Sequence, residues 1–162
     1  IRTLALLRNL SQDEALMFER LCRYAIDRDF FFHRYLFDKN IISFDKLSEL
    51  ETIGIIDMSF GLSKIIKSVA KTMNFSSVVA SKIIMLESDN PLDFSLDEVG
   101  RFTKCGKELA SLVNCASPPE LDYFKYLKQK IQTKNSVNVF YIDRTPLENG
   151  KIFCIKEKKI QL

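Results

Sequence analysis

The sequence is poor in residues that carry catalytic or metal-binding chemistry. It contains a single histidine, His33, no tryptophan, five glycines and four prolines in 162 residues. Its four cysteines form no C-x-x-C pair, although zinc ligands in structural sites are closely spaced. The glycines are scattered, which argues against a glycine-rich phosphate-binding loop. His33 is the only candidate for Ser-His-acid or Cys-His catalysis, and its sequence context does not favour either.

The bulk composition is that of a globular protein, with 46% hydrophobic and 28% charged residues. No apolar run approaches the ~18 residues that a membrane-spanning helix requires, and no signal peptide is recognisable. The cysteines are interpreted as buried free thiols in a reducing compartment, which predicts a cytoplasmic location. The net charge of +3 gives little support for a polyanionic partner.

Two helix-capping signals lie in the first third of the chain. Residues 11–14, Ser-Gln-Asp-Glu, form a capping box that predicts a helix running to about Ile26. Ser43 caps a second helix, Gly54 ends it, and Ile55 and the following Ile enter a strand. This pattern is typical of the second helix of a helix-turn-helix running into the first strand of a winged-helix domain. In DNA-binding members, such a helix occupies the major groove.

The charges of this second helix do not suit DNA. Between Phe44 and Asp57 the chain carries four acidic residues and one lysine, so phosphate groups would be repelled. The sequence therefore predicts the shape of a helix-turn-helix without its usual chemistry.

A second winged-helix signal lies further along the chain. An extended run over 94–102 precedes Thr103, which caps a short helix in the pattern Thr-x-x-Gly-x-x-Leu. Residues 81–86 predict a strand, and a turn at 89–91 returns the chain so that the two strands form a wing-like hairpin. Residues 103–114 then form the helix that follows the wing.

The aromatic run Phe30–Phe37 has no clean period. Its aromatic and bulky residues favour an extended segment or strand. The alternative is an exposed aromatic surface for a partner.

Residues 62–73 predict an amphipathic helix from their apolar spacing. Lys64, Lys67 and Lys71 then share its opposite face, at positions i, i+3 and i+7. The simplest interpretation is a solvated surface, and the alternative is a face that contacts nucleic acid or anionic lipid.

The last part of the chain predicts an extension to this body. Residues 117–120 form a further capping box and begin a helix, 137–142 form a strand, and a turn at 149–150 leads into 152–155. The predicted fold is α+β, with a winged-helix-like body over 1–115 and a helix plus β-hairpin extension over 117–162.

A pattern like that of a metal-dependent nuclease occurs in the extension. Asp143 ends a strand, and Glu157 and Lys159 follow with the spacing D-(x13)-E-x-K. In such nucleases two carboxylates hold Mg²⁺ and the lysine stabilises developing negative charge. An E-x-K sequence is common in a lysine-rich tail, so this is a remote alternative.

Three segments resemble the C-terminal domain of a bacterial family catalogued as a domain of unknown function, number twenty-eight hundred and six. They are residues 11–22, 47–56 and 102–109, together with Tyr126-Leu-Lys128 downstream. The resemblance covers about residues 1–142 and implies a winged-helix-like α+β domain of a cytoplasmic bacterial protein. It supplies no site residues, because the family has no established activity.

The chain starts at Ile1 within what reads as a helix, and members of the family carry a helical region upstream. We therefore expect a C-terminal fragment of a longer protein. The predicted function is a non-catalytic interaction or regulatory module, without cofactor or metal, that binds a protein partner or its own N-terminal region. The alternative is nucleic-acid binding through Lys64, Lys67 and Lys71.

Overall fold

The computed structural model describes residues 2–59, 62–68, 73–79, 82–88, 90–114, 117–132, 138–143, 145–146, 152–153 and 160–161. The helices of this part of the chain are α1 (Arg2–Asn9), α2 (Gln12–Cys22), α3 (His33–Asp38), α4 (Phe44–Thr52), α5 (Lys104–Leu112) and α6 (Leu121–Gln132). None of these helices is both long and apolar enough to cross a membrane.

The strands of the first hundred residues are β1 (Phe30–Phe31), β2 (Ile56–Asp57), β3 (Ser63–Ser68), β4 (Met73–Val79), β5 (Lys82–Ser88), β6 (Leu92–Asp97) and β7 (Gly100–Phe102). The later strands are β8 (Asn138–Asp143), β9 (Thr145–Pro146), β10 (Ile152–Phe153) and β11 (Ile160–Gln161). Helices and strands are mixed along the chain, and the strand pairs are antiparallel. The α+β prediction is confirmed.

The strands form four groups. A short sheet has the order β1-β7-β2, and a longer one has the order β11-β8-β5-β4. The remaining pairs are β3-β6 and β9-β10. Strand β8, from the predicted extension, pairs along its length with β5, so the extension shares a sheet with the predicted body.

The Thr103-x-x-Gly106 motif joins α5 to the start of β2. Thr103 caps α5, because its side chain accepts a hydrogen bond from the amide of Gly106. Its own amide donates to the carbonyl of Ile55 at 3.0 Å, and its hydroxyl donates to the carbonyl of Gly54 at 2.7 Å. A Cβ at position 106 would overlap the Ile55 carbonyl oxygen, so only glycine allows this approach.

The aromatic run is part of the core. Phe30, Phe31 and Phe32 are buried, as is Tyr35. Only Phe30–Phe31 is a strand, and the chain turns into α3 at His33. The prediction of an extended segment is therefore correct for Phe30, Phe31 and Phe32, and the alternative of an exposed aromatic surface is wrong for these buried rings.

The helix predicted over 62–73 is wrong. Residues 63–68 form β3, which pairs with β6, and Met73 begins β4. Adjacent β-branched residues, Ile65 and Ile66, favour a strand, and the partner strand lies about thirty residues further along the chain. A short window with mixed spacing does not contain that information.

The predicted wing hairpin is also wrong in its pairing. Strand β5 pairs with β4 and β8, whereas the run over 94–102 is divided between β6 and β7. Glu98, at the division, has a φ of 59°, in the left-handed region that side chains rarely adopt. The two segments therefore belong to different sheets, and the winged-helix arrangement is not confirmed.

Two predicted helix boundaries differ from the structure. The capping box at Ser11 and Glu14 is confirmed, but α2 ends at Cys22 rather than near Ile26. Helix α6 begins at Leu121, after the prolines, so the prediction that Ser117 begins it is wrong. Glu120 instead accepts a hydrogen bond from the hydroxyl of Tyr24, at 2.8 Å.

We predict that Gly106→Ala destabilises the protein by about 1–3 kcal/mol, because the new methyl group must push the backbone of Ile55 away. In an isolated helix, replacing glycine by alanine would stabilise the helix by about 1 kcal/mol. The effect that we predict for the protein therefore has the opposite sign to the effect of helix propensity. Urea denaturation measures the effect. Ser111→Ala, on the exposed side of the same helix, is the control and should change stability by less than about 0.5 kcal/mol. A Gly106→Ala variant as stable as the parent would contradict this account.

Candidate functional site

The exposed side of α4 is acidic. Asp45 and Glu49 are exposed on it, and Asp13 of the neighbouring α2 lies close enough to act on the charge of Lys46. The ammonium of Lys46 is already engaged by the Glu49 carboxylate, at 2.8 Å. Three carboxylates against one lysine leave this surface with a net negative charge.

The same helix begins with an exposed aromatic ring. Phe44, the first residue of α4, is 62% exposed. Its ring contacts Phe37 at a centroid distance of 5.8 Å, and Phe37 contacts the His33 imidazole at 5.7 Å. These three rings connect the acidic side of α4 to the beginning of α3. We call Phe44, Asp45 and Glu49 the α4 surface.

The structure separates the lysines that were predicted to share a helical face. Lys64 and Lys67 lie three positions apart on strand β3, so they point to opposite faces. Lys64 donates to Asp29 at 2.6 Å, and Lys67 pairs with Asp93 at 3.3 Å. Lys71 lies outside the described residues. The shared-face premise of the nucleic-acid alternative is therefore wrong for the two lysines that the structure describes.

Asp29 is a structural link rather than a ligand site. Its carboxylate contacts Lys64 of β3 and Lys107 of α5. Burial raises the pKa of Asp29, but the hydrogen bonds from the two lysines outweigh it and hold the pKa below its ordinary value. Lys64 is thus engaged in joining two elements.

The nuclease-like pattern is only partly covered by the structure. Asp143 ends β8, as predicted, opposite Lys82 of β5. Glu157 and Lys159 lie outside the described residues. Within the described part of the chain, no group of three or more His, Cys, Asp or Glu side chains is close enough to hold a metal ion.

A second cluster of polar side chains lies where α3, α6 and the turn between β6 and β7 meet. It consists of His33, Arg34, Glu98, Tyr126 and Lys130, here called the Glu98 cluster. The Glu98 carboxylate contacts the Arg34 guanidinium at 3.5 Å and the Lys130 ammonium at 3.2 Å. The Lys130 ammonium also lies over the ring of Tyr126, at 5.5 Å.

The charges of the Glu98 cluster are set by burial and by these contacts. Burial lowers the pKa of His33, so its imidazole is neutral at pH 7. The hydrogen bond from Lys130 lowers the pKa of Glu98, which keeps the carboxylate ionised. Burial raises the pKa of Tyr126, although Lys130 opposes that change.

One polar atom of the Glu98 cluster, Nδ1 of His33, is buried without a hydrogen-bond partner among the residues that the structure describes. An unpaired buried polar atom costs about 1–3 kcal/mol, and the left-handed backbone of Glu98 adds a cost of similar size. Costs of this kind are concentrated at sites of function.

The sequence did not reveal this cluster, because its members come from three distant segments. His33 was set aside because the sequence places no acid in ligand register with it, and the fold supplies Glu98 from 65 positions away. One signal was present: Tyr126 and Lys130 are four residues apart and therefore share a face of α6.

Comparison with family models, with curated proteins and with solved structures found no match to this chain.

We predict that the protein loses stability as the pH falls from 7.5 to 5.5. The folded His33 pKa lies below its ordinary value of about 6.5, so the unfolded chain takes up the proton first and acid favours unfolding. The free energy of unfolding should increase with pH and become constant above the pKa that His33 has in the unfolded chain. Urea denaturation at several pH values measures the effect. His33→Gln should flatten the dependence in this range, because the chain has no other histidine. An unchanged slope in the variant would assign the effect to other groups.

Proposed function

We propose that this chain is a non-catalytic protein-interaction module that binds a basic partner segment on the α4 surface. The observation that carries the proposal is the exposed Phe44 ring at the start of α4, a helix whose Asp45 and Glu49 carboxylates are also exposed. A large exposed aromatic residue is a typical anchor of a protein interface. Flanking carboxylates select a partner with lysine or arginine near its own apolar side chain.

The position of α4 supports the same proposal. The chain runs from α2 through β1 into α3 and α4, and then into β2, which pairs with β7 in the order β1-β7-β2. This is the order that we expect of a winged-helix domain with a large insertion, residues 58–99, between its two wing strands. Helix α4 is then the helix that reads DNA in other members, and here it presents carboxylates that phosphate would repel.

The proposal also accounts for the lysines of the alternative function. Lys64 bridges to Asp29, and Lys67 is paired with Asp93, so both have intramolecular partners. Neither contact favours a nucleic-acid surface.

We expect random-peptide display on the protein to select peptides with lysine or arginine beside an apolar residue. Phe44→Ser should weaken the selected peptide at least tenfold, because the anchor is lost, and Asp45→Asn with Glu49→Gln should weaken it by a similar factor. Leu112→Ser, at another exposed apolar residue, and Asp122→Asn, at another exposed carboxylate, are the matched controls. Fluorescence anisotropy measures the binding. Selected peptides that bind Phe44→Ser as tightly as the parent would refute the proposal.

We expect no tight binding of mixed-sequence duplex DNA at low salt. Binding that collapses at higher salt, and weakens in Lys67→Ala/Lys71→Ala, would establish the nucleic-acid alternative instead. Lys64→Ala is less suitable for this test, because it also removes the ion pair between Lys64 and Asp29. Anisotropy of labelled DNA at two salt concentrations measures this directly.

A further inference from the structure

We propose that the basic partner segment of the α4 surface is helix α1 of a second copy of this chain. The inference rests on the function proposed above, since it names the partner of the same surface. Helix α1 carries Leu4, which is 66% exposed, and Leu7, which is 41% exposed. Arg8, which follows Leu7, is also exposed. Residues three and four positions apart lie on one side of a helix, so these three side chains share a face, here called the α1 surface.

The α1 surface has the chemistry that we propose for a partner of the α4 surface. It offers two apolar side chains with an arginine next to them, and α1 contains no acidic residue. The α4 surface offers the exposed ring of Phe44 and two exposed carboxylates. Contact between the two would cover apolar side chains on both copies and would bring a guanidinium to a carboxylate, a pairing that suits both groups.

Three further leucines are exposed in the part of the chain that the structure describes, and each suits the α4 surface less well. Leu16 of α2 has an acidic residue three positions away on either side, and Leu112 of α5 has one four positions before it. These carboxylates would repel those of α4. Leu121 of α6 has Lys125 four positions on, but this lysine already pairs with Asp122 at 3.7 Å.

The spacing of the two surfaces is also similar. At about 1.5 Å per residue, Leu4 and Arg8 are about 6 Å apart along α1, and Phe44 and Glu49 are about 7.5 Å apart along α4. In each helix the apolar residue comes before the charged one. Two parallel helices therefore place Leu4 on Phe44 and Arg8 on Glu49 at the same time. Asp45, exposed one turn before Glu49, adds to the attraction.

The contact is one between two copies rather than within one. Leu4, Leu7 and Phe44 are all exposed in the single chain, so they do not cover one another there. Leu6 of α1 lines the same hollow as Ile53, which follows the end of α4. Phe44 begins α4, about 13 Å from that end at about 1.5 Å per residue. A second copy is therefore needed to bring an α1 surface to Phe44.

The test is sedimentation equilibrium of the full chain over a series of protein concentrations, because an interface of one helix from each copy is small and its association is weak. We expect the weight-average mass to rise above that of the monomer. Phe44→Ser should weaken the association at least tenfold, and so should Leu4→Ser combined with Leu7→Ser. Leu16→Ser combined with Leu121→Ser, the matched control at two other exposed leucines, should associate as the parent does.

Mixing the two weakened variants distinguishes this contact from one between like surfaces. The Phe44→Ser variant keeps its α1 surface, and the Leu4→Ser/Leu7→Ser variant keeps its α4 surface. A mixture should therefore form one-to-one complexes and nothing larger. A contact between two copies of the same surface would instead respond to only one of the two variants, and that result would overturn the inference.

An exchange of charge tests the predicted register. Arg8→Glu should weaken the association at least tenfold, because its carboxylate meets that of Glu49. A mixture of the Arg8→Glu variant with a Glu49→Arg variant should restore it, since the two charges are then exchanged between the copies. No recovery in this mixture would contradict the proposed pairing of Arg8 with Glu49.

The inference is refuted if the parent chain remains a monomer at every concentration. That result leaves the function proposed above to its own test, because a peptide selected by display binds the α4 surface of a monomer equally well. A monomeric parent that binds the selected peptide through Phe44 would mean that the partner of the α4 surface is a different protein. Selected peptides that bind without Phe44 would refute the proposed function whatever the mass of the parent.

Discussion

The carbonyl group of Ile55 is the contact on which the arrangement of the small sheet and its helices depends. It accepts a hydrogen bond from the amide of Thr103, whose hydroxyl donates to the neighbouring carbonyl of Gly54, and it lies against the backbone of Gly106. The start of β2, the end of β7 and the first turn of α5 are thereby fixed to one another. Since α4 leads directly into β2, the same contact sets the position of the α4 surface. Gly106, which has no side chain, therefore helps to set the position of the α4 surface through the backbone of Ile55.

Local signals predicted the elements that have local causes. Ser11, Ser43 and Thr103 each cap a helix in the structure as the sequence predicts, because a cap needs only the side chain and the next three amides. Strand pairing has no such local cause. Residues 63–68 read as part of a helix until β6 is known to lie beside them, and the Glu98 cluster required three segments to be brought together. The candidate site was therefore less predictable than the fold that positions it.

The α4 surface and the Glu98 cluster differ in electrostatic character. The exposed side of α4 carries the carboxylates of Asp45 and Glu49, whereas Arg34 of α3 and Lys130 of α6 both contact the carboxylate of Glu98. The rings of Phe44, Phe37 and His33 run between them.

The pairing of β5 with β8 has a consequence for the way in which the chain is made. Lys82 lies opposite Asp143, so β5 leaves the ribosome well before the strand that completes its pairing. Until then one edge of β5 is open, and four consecutive apolar residues, Ile83, Ile84, Met85 and Leu86, lack the cover they have in the folded protein. Open, apolar strand edges are the usual starting points of misassembly, and pairings between distant segments form slowly. The nascent chain is therefore most exposed to aggregation between the synthesis of β5 and that of β8.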